Sequence, residues 1–400
     1  MIGLVPRDYW EHNFSDLFRG LAAGLGPRKK SEMLYITGLG NCIPVRSGRA
    51  GLVAAIKALN LRPGARIGVP LYCCHVVFKA IAGAGCRACF IDIEPDTFCM
   101  SAEDLSAKHS HLDAVIAVHM FGNLCDMSGL KAAVRGKPII EDCAQSIGSK
   151  IGGRMTGSFG DIAFFSFRSG KYLSVGEGGA LFSSNADVLS RVPQYIEEMP
   201  VPGCAEECAH VAKIYIKSIL RTKPLYGVVG YPLWNILGKK MSLSAKSGVS
   251  LSRVYKSDLS IVRQRLPLLD SAIARQRANA EFYSNNLKLE PGMLCLEKPG
   301  TFYNRYHYPI TFPSIEYRDL IASYLFSRKI DTMKYLDDVV DIATKDYGYT
   351  GDCPVAEQLS KRVLIIPSYY SLRKRDVQHI SKCLNEGWAA TSKSEHSSFS

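Results

Sequence analysis

An α/β fold is what the sequence predicts, with a large domain built on a mainly parallel mixed sheet and a smaller C-terminal α+β domain. Three observations predict it. Between about residues 48 and 185, short apolar runs rich in Val, Ile, Ala and Phe alternate with helix-patterned segments. Those runs are apolar almost throughout, the mark of strands buried on both faces of a parallel sheet. After about residue 258 the order changes to a long helical stretch followed by strand, helix and strand.

SGRAGLVAAIKALN (47–60) places apolar residues at helical spacing after a Ser-Gly start, so it predicts a helix with its cap. ARIGVP (65–70), CRACFIDI (86–93), AVIAVHMF (114–121), KPIIEDCA (137–144) and DIAFFSF (161–167) predict strands, separated by segments such as MSGLKAAVRG (127–136). Residues 200–255 change character. The stretch KIYIKSILRTKPLYGVVGYPLWNILGKKM (213–241) mixes aromatics, glycines and lysines, and suits either an inserted subdomain or a segment lying on a membrane surface. LSIVRQRLPLLDSAIARQRANAEFYSNNL (259–287) predicts a long helix, broken or kinked at Pro267. YHYPITF (306–312), YRDLIASYLFSRK (317–329) and VLIIPSYY (363–370) complete a small domain. The expected division is a large domain over 1–255 with the atypical 200–255 segment, a small domain over 256–388, and a Ser-rich disordered tail over 389–400.

With 400 residues, 47% hydrophobic and 22% charged, the chain can bury a substantial core, and it has no apolar run long enough to span a bilayer. The N-terminus, MIGLVPRDYWEHNFSDLF, lacks the basic-then-apolar order of a signal peptide, so a cytoplasmic location is expected. In that setting the 13 cysteines are reduced thiols, most of them packed as small hydrophobes. Metal binding is not expected. Cys86 and Cys89 lie three apart on a strand and so point to opposite faces, and Cys204, Cys208 and His210 lack a fourth ligand. The net charge of +12 favours anionic partners, and without a basic-aromatic stripe or nucleic-acid motif these are phosphorylated small molecules.

Ligands of open parallel sheets bind beyond the carboxyl ends of the strands. Those ends carry Glu141 and Asp142, Ser166 and His119, with Gln145 just beyond. Lys171 follows Ser166 closely enough to face the same crevice, and Gly176, Gly178 and Gly179 follow in turn. Gly48 and Arg49 open a helix whose N-terminus is a ready phosphate site. An amine nucleophile, a carboxylate, a hydroxyl and a helix N-terminus together fit pyridoxal 5′-phosphate, which needs a Lys for covalent attachment, an Asp for its ring nitrogen and donors for its phosphate.

RSGRAGL (46–52), VPLY (69–72), IIEDCAQSIGS (139–149), GSFGDIAFFSFRSGKYLSVGEGGALFSSN (157–185) and FYNRYHYPI (302–310) carry a more specific signal. In these, and above all in EDxAQ, FSFxxxK and GEGG, the chain resembles the sugar aminotransferases named for DegT and StrS, of the pyridoxal-phosphate transferase fold type I. The resemblance implies that Lys171 carries the cofactor, Asp142 pairs with the pyridine nitrogen, Gln145 lies against the ring, and Ser166 with the Gly48–Arg49 turn holds the phosphate. The family's ring-stacking aromatic falls on Cys74, with His75 and Tyr72 as neighbours able to serve. An arginine sent to the phosphate from a neighbouring subunit falls on Arg253, without the asparagine that normally precedes it. His75 and His307 are candidate substrate contacts, and His119 a strand-end structural residue. The implied function is transfer of an amine from an amino acid such as glutamate to a keto sugar by a homodimer. A nucleotide-linked sugar is expected because the basic charge suits a diphosphate. Transamination of a cyclitol or carbocyclic ketone is the alternative. A dehydrase is disfavoured because position 171 is Lys where dehydrases have His, and a non-catalytic role because the whole site set is kept.

Overall fold

The computed structural model describes residues 1–28, 32–236 and 252–396. The last four residues of the expected tail, and 237–251 of the atypical segment, lie outside them. An eight-stranded sheet forms the centre of the fold. In chain order its strands are β1 (Leu34–Ile36), β2 (Gly40–Val45), β3 (Arg66–Pro70), β4 (Arg87–Ile91), β5 (Ala114–Val118) and β6 (Ile139–Asp142). Two short strands outside it, β7 (Lys150–Ile151) and β8 (Arg154–Met155), come before its last members, β9 (Ile162–Ser166) and β10 (Gly179–Phe182). The spatial order is β1-β2-β10-β9-β6-β5-β3-β4. Neighbours from β9 to β4 run parallel, while β10 and β2 return antiparallel. All five residues of β5 and all four of β6 are buried, as strands covered on both faces must be. A fully buried Ile such as Ile116 or Ile140 contributes roughly 1.5–3 kcal/mol.

The registers align the chemistry. Val118 pairs with Asp142, Asp142 with Phe164, and Ser166 with Gly179, so the parallel strands deliver Asp142 and Ser166 to one sheet edge. The β1–β2 pair at the other end was not expected from the sequence. β1 has only three residues, and Pro44 interrupts the apolar pattern of GNCIPV in β2.

The C-terminal part holds a third strand group. Strand β11 (Thr301–Phe302) joins β7 and β8, while β12 (Tyr308–Thr311) pairs with β13 (Val363–Ile366) beside an apolar cluster around Phe312, Ile321 and Ile380. Pro267 sits in a 3-10 turn, Leu266–Leu268, between the helices Lys256–Arg265 and Leu269–Asn286. It breaks the helical stretch there, since its ring removes a donor and crowds the preceding turn.

Two boundaries differ from the expected ones. Ile261, Val262 and Ile273 pack with Phe165 and Val175 of the large sheet, and Val5 joins the C-terminal cluster through a bridge to Ile330. Residues on both sides of position 255 therefore share these apolar clusters. Over 389–396 the expected disorder is replaced by the end of a helix, Lys374–His396. Ala389 and Ala390 favour helix, and Thr391 Oγ1 donates back to the Gly387 carbonyl. The 200–236 stretch contains the helix Cys204–Ile219 and a π-helical turn, Tyr226–Gly230. No helix among the described residues is long and apolar enough to cross a membrane.

Candidate active site

The phosphate end of the site is built by the helix Gly48–Ala58. Ser47 caps it by accepting from Ala50 N at 3.2 Å, which leaves the Gly48 and Arg49 amides at the positive pole. Gly48 lies against Ser166. A methyl group there would come within 3.0 Å of Ser166 Cβ and 3.2 Å of Oγ. The close approach holds a hydroxyl beside two first-turn amides, the donor set an anion needs.

Lys171 stands on a loop stapled at its base. Phe167 N donates to Gly178 O and Val175 N to Phe167 O, both at 2.9 Å, and Gly178 N donates to Arg46 O at 2.8 Å. Gly176 has φ +108, and Cβ there would meet Ile214 Cγ1 at 2.6 Å, so the turn requires glycine. Lys171 N closes a tight turn on Arg168 O at 3.0 Å. The lysine is thus held between a buried strand and a constrained loop.

Burial lowers the Lys171 amine to about 7, Arg168 adds to the shift, and Asp142 and Cys74 oppose it. Burial also raises Asp142 to about 6, against an amide bond from Ala144 N and the attraction of Lys171. Desolvation outweighs the mutual attraction in both groups, which favours a neutral amine and leaves a carboxylate poised for a cationic partner.

Three tyrosines complete the surroundings, and sequence reasoning did not single them out. The Lys171 Nζ lies 4.4 Å from the centre of the Tyr306 ring, and Tyr306 Oη donates to Gly170 O at 3.1 Å. Tyr335 Oη accepts from Gln145 Nε2 at 3.1 Å, while Gln145 Oε1 accepts from Phe121 N at 3.0 Å. Tyr172 donates to the Asn304 carbonyl. Asn304 in turn donates to Gln145 O and Ile147 O, both at 2.9 Å, and fastens the segment of Tyr306 to the loop after Asp142.

Of the expected residues, Asp142, Cys74 and His307 each interact electrostatically with Lys171, and Gln145 lies nearby through Tyr335. The Cys74 thiol acts on Lys171, Tyr306 and Tyr335, so the position expected to hold a stacking aromatic does face the site. His75 lies near Arg49 and Arg168, which with burial lower its pKa. Tyr72 is spent in the core, donating to Tyr335 O at 2.7 Å and packing on Phe98 and Phe121, so it is no stacking partner. His307 lines a solvent-open cleft with Lys171, Tyr306, Arg7 and Tyr369. Burial and Lys171 push it down to about 3, so it stands there as neutral imidazole.

His119 has a structural environment. It meets Glu141 at 3.1 Å and accepts from Cys125 N at 3.2 Å, while Glu141 also accepts from Gly157, Phe159 and Gly160 amides. His210 pairs with Asp258 at 2.9 Å and stacks on Tyr255 at 3.9 Å, an arrangement that does not involve Cys204 or Cys208. The Arg253 guanidinium donates to Glu197 O at 3.0 Å, and its backbone amide to Pro200 O at 2.9 Å, rather than to Ser166, Gly48 or Lys171 of its own chain.

The sheet, the strand-end carboxylate and the loop lysine define a pyridoxal-phosphate-dependent transferase of fold type I, and the Gly48–Ser166 cradle, Asp142 and Lys171 fit that cofactor. The chain belongs to the DegT/DnrJ/EryC1/StrS aminotransferase family, whose model matches residues 31–385. It is 25% identical, over 89% of its length and 86% of the relative's, to a UDP-N-acetyl-3-dehydro-alpha-D-glucosamine 3-aminotransferase of Acidithiobacillus ferrooxidans. It is 35% identical to an L-glutamine:2-deoxy-scyllo-inosose aminotransferase of Streptomyces fradiae, over 42% of each chain. Among solved structures it shares its fold with Spr1654 of Streptococcus pneumoniae in its PLP form, at a TM-score of 0.73 and 17% identity over 96% of this chain and 98% of that one.

Proposed function

We propose that this aminotransferase moves an amine from an amino acid, glutamate by preference, to a nucleotide-linked keto sugar. The observation that carries the reading is the Lys171 amine, lowered by burial to about 7 beside the buried Asp142 carboxyl. Lys171 would hold the cofactor's carbonyl carbon, Asp142 its ring nitrogen, and Ser166 with the Gly48 and Arg49 amides its phosphate. When bound, the cofactor supplies an electron sink that makes the proton on the amine-bearing carbon labile. Lys171 Nζ then takes and returns that proton, a role suited to an amine that titrates near neutrality. The Tyr306 ring limits where Nζ can go, and Gln145 is fixed by its bonds to Tyr335 and Phe121. Neutral His307 offers a hydrogen bond in the cleft without competing for that proton.

The nucleotide-sugar substrate rests on the relative that shares most of this chain's length and on the net charge of +12. A cyclitol ketone is the second reading, favoured by the 35% identity to the inosose aminotransferase. Mass spectrometry of reactions containing glutamate with nucleotide keto sugars or with inososes separates the two. An amine gained on inososes alone overturns the first. The reading also includes a cytoplasmic homodimer in which Arg253 serves the phosphate of the neighbouring chain's site, with His75 and Cys74 beside the cofactor ring.

A further inference from the structure

The π-helical turn Tyr226–Gly230 and the residues that follow present an apolar face. Leu225, Val228, Val229, Leu233, Trp234 and Ile236 are all exposed, and Ile2 beside them is 72% exposed. Exposed apolar side chains are ordinary when scattered, but a contiguous group fixed on one face marks a binding surface.

This face is anchored from behind. Tyr226 donates to Asp331, and the Met1 ammonium donates to Gly227 O at 2.7 Å. The Arg221 guanidinium lies 4.1 Å from the Trp10 ring and 4.8 Å from the Trp234 ring, and pairs with Asp8. The anchors bury Tyr226 on the inner side and leave the aliphatic side chains and part of Trp234 outward.

The charge pattern says what covers the face. From Cys208 to Ser257 the sequence has nine lysines and arginines and no Asp or Glu. In the sequence, Lys213, which is exposed, and Lys223, which pairs with Asp376 at 2.9 Å, precede the apolar stretch, and Lys239 and Lys240 follow it. An apolar face with Trp among its members, flanked by cations in a segment without acidic residues, matches the boundary of a negatively charged bilayer.

We propose that the Leu225–Ile236 face docks this enzyme on anionic phospholipid. It enters the interface without spanning the bilayer, and it faces lipid next to the cleft of Lys171. That adjacency follows from the chain itself. Arg7, Asp8 and Tyr9 line the cleft; Arg7 is held by Asp331 and Asp8 by Arg221, and these two also hold Tyr226 and Trp234 of the docking face. The surface is independent of which ketone the enzyme aminates.

Sedimentation of the full-length, cofactor-loaded protein with phosphatidylcholine vesicles, with or without phosphatidylglycerol, tests the proposal. The protein is expected to sediment with the phosphatidylglycerol vesicles at low salt and about tenfold less at high salt. Val229→Asp combined with Ile236→Asp is expected to weaken binding by about tenfold or more. Both residues are exposed, so melting temperature and solution mass should stay at wild-type values. A wild-type protein that remains in the supernatant overturns the proposal. So does a double variant that sediments as well as wild type, because the basic charge would then act without the face. A double variant of lower solution mass overturns it too, and makes the face a contact between copies.

Discussion

The Lys171 amine is a nucleophile only when neutral, and burial has moved that condition from far above physiological pH to about 7. The sign is fixed by the cause: desolvation disfavours the cation, so the neutral fraction grows as pH rises through 7. The rate at which apoprotein captures pyridoxal 5′-phosphate, followed by absorbance, should rise between about pH 6 and 8 and then level off. A rate still climbing toward about pH 10 would mean an ordinary lysine. Lys171→Ala should lower turnover by about a thousandfold or more, and borohydride should fix the cofactor to Lys171 in the wild type. Labelling of another lysine refutes the assignment. Asp142→Asn should keep the melting temperature yet lower kcat by about a hundredfold, because an amide cannot hold a cationic ring nitrogen. Wild-type kinetics in that variant would exclude the role. Lys171, Asp142 and Ser166 were legible in the sequence because each sits at a strand end or in the loop just after one. Tyr306 and Tyr335 were not. Tyr306 reaches the lysine because Arg305 adopts φ +58 and Asn304 ties the connection between β11 and β12 to Gln145, and Tyr335 comes from a loop remote in sequence.

Strands and helices carry these residues to one place, and the positions where they touch are the sensitive ones. Gly48→Ala should leave the fold intact but close the seat between the helix Gly48–Ala58 and Ser166, weakening cofactor affinity by about tenfold, as equilibrium dialysis would show. Unchanged affinity would move the phosphate elsewhere. Glu141, a strand residue of the same motif as Asp142, acts in the scaffold instead. Its carboxylate holds the Gly157, Phe159 and Gly160 amides and His119. Glu141→Ala should cost about 3 kcal/mol in denaturant unfolding, by leaving those buried donors unpaired. The parallel strands were readable because double-sided burial writes itself as continuous apolar runs. The hairpin β1–β2 was hidden because β1 is only three residues long and Pro44 erases the period of β2. The helix Cys204–Ile219 was hidden because aromatics, glycines and lysines dominate the composition of the stretch it opens. The helix that continues through 389–396 was obscured by the Ser content around Ala389 and Ala390.

At the scale of the whole molecule the question is how many chains make one site. Phe14 and Phe18 lie 4.7 Å apart on the helix Phe14–Leu25, and Phe14 continues to Tyr215 at 6.3 Å on the helix Cys204–Ile219, where Ile216 is also exposed. This apolar face lies on different helical residues from the Leu225–Ile236 face, and a second copy would cover it. The site adds a chemical reason. Arg46 is committed to Glu177 and Ser252, while among the described residues the Arg253 guanidinium is held by one carbonyl and its Nε meets no acceptor. A guanidinium so placed has donors to offer a phosphate across a contact. Arg253→Ala alone should therefore weaken cofactor retention by about tenfold, and Lys171→Ala alone should be inactive. Mixed and allowed to exchange subunits, the two should regain part of the wild-type activity, because one site of each mixed dimer pairs an intact Lys171 with the other chain's intact Arg253. Sedimentation should show a dimer in the wild type and in both variants. A fully active monomer, or mixed dimers that regain no activity, would confine each site to one chain and leave Arg253 as a surface contact to Glu197.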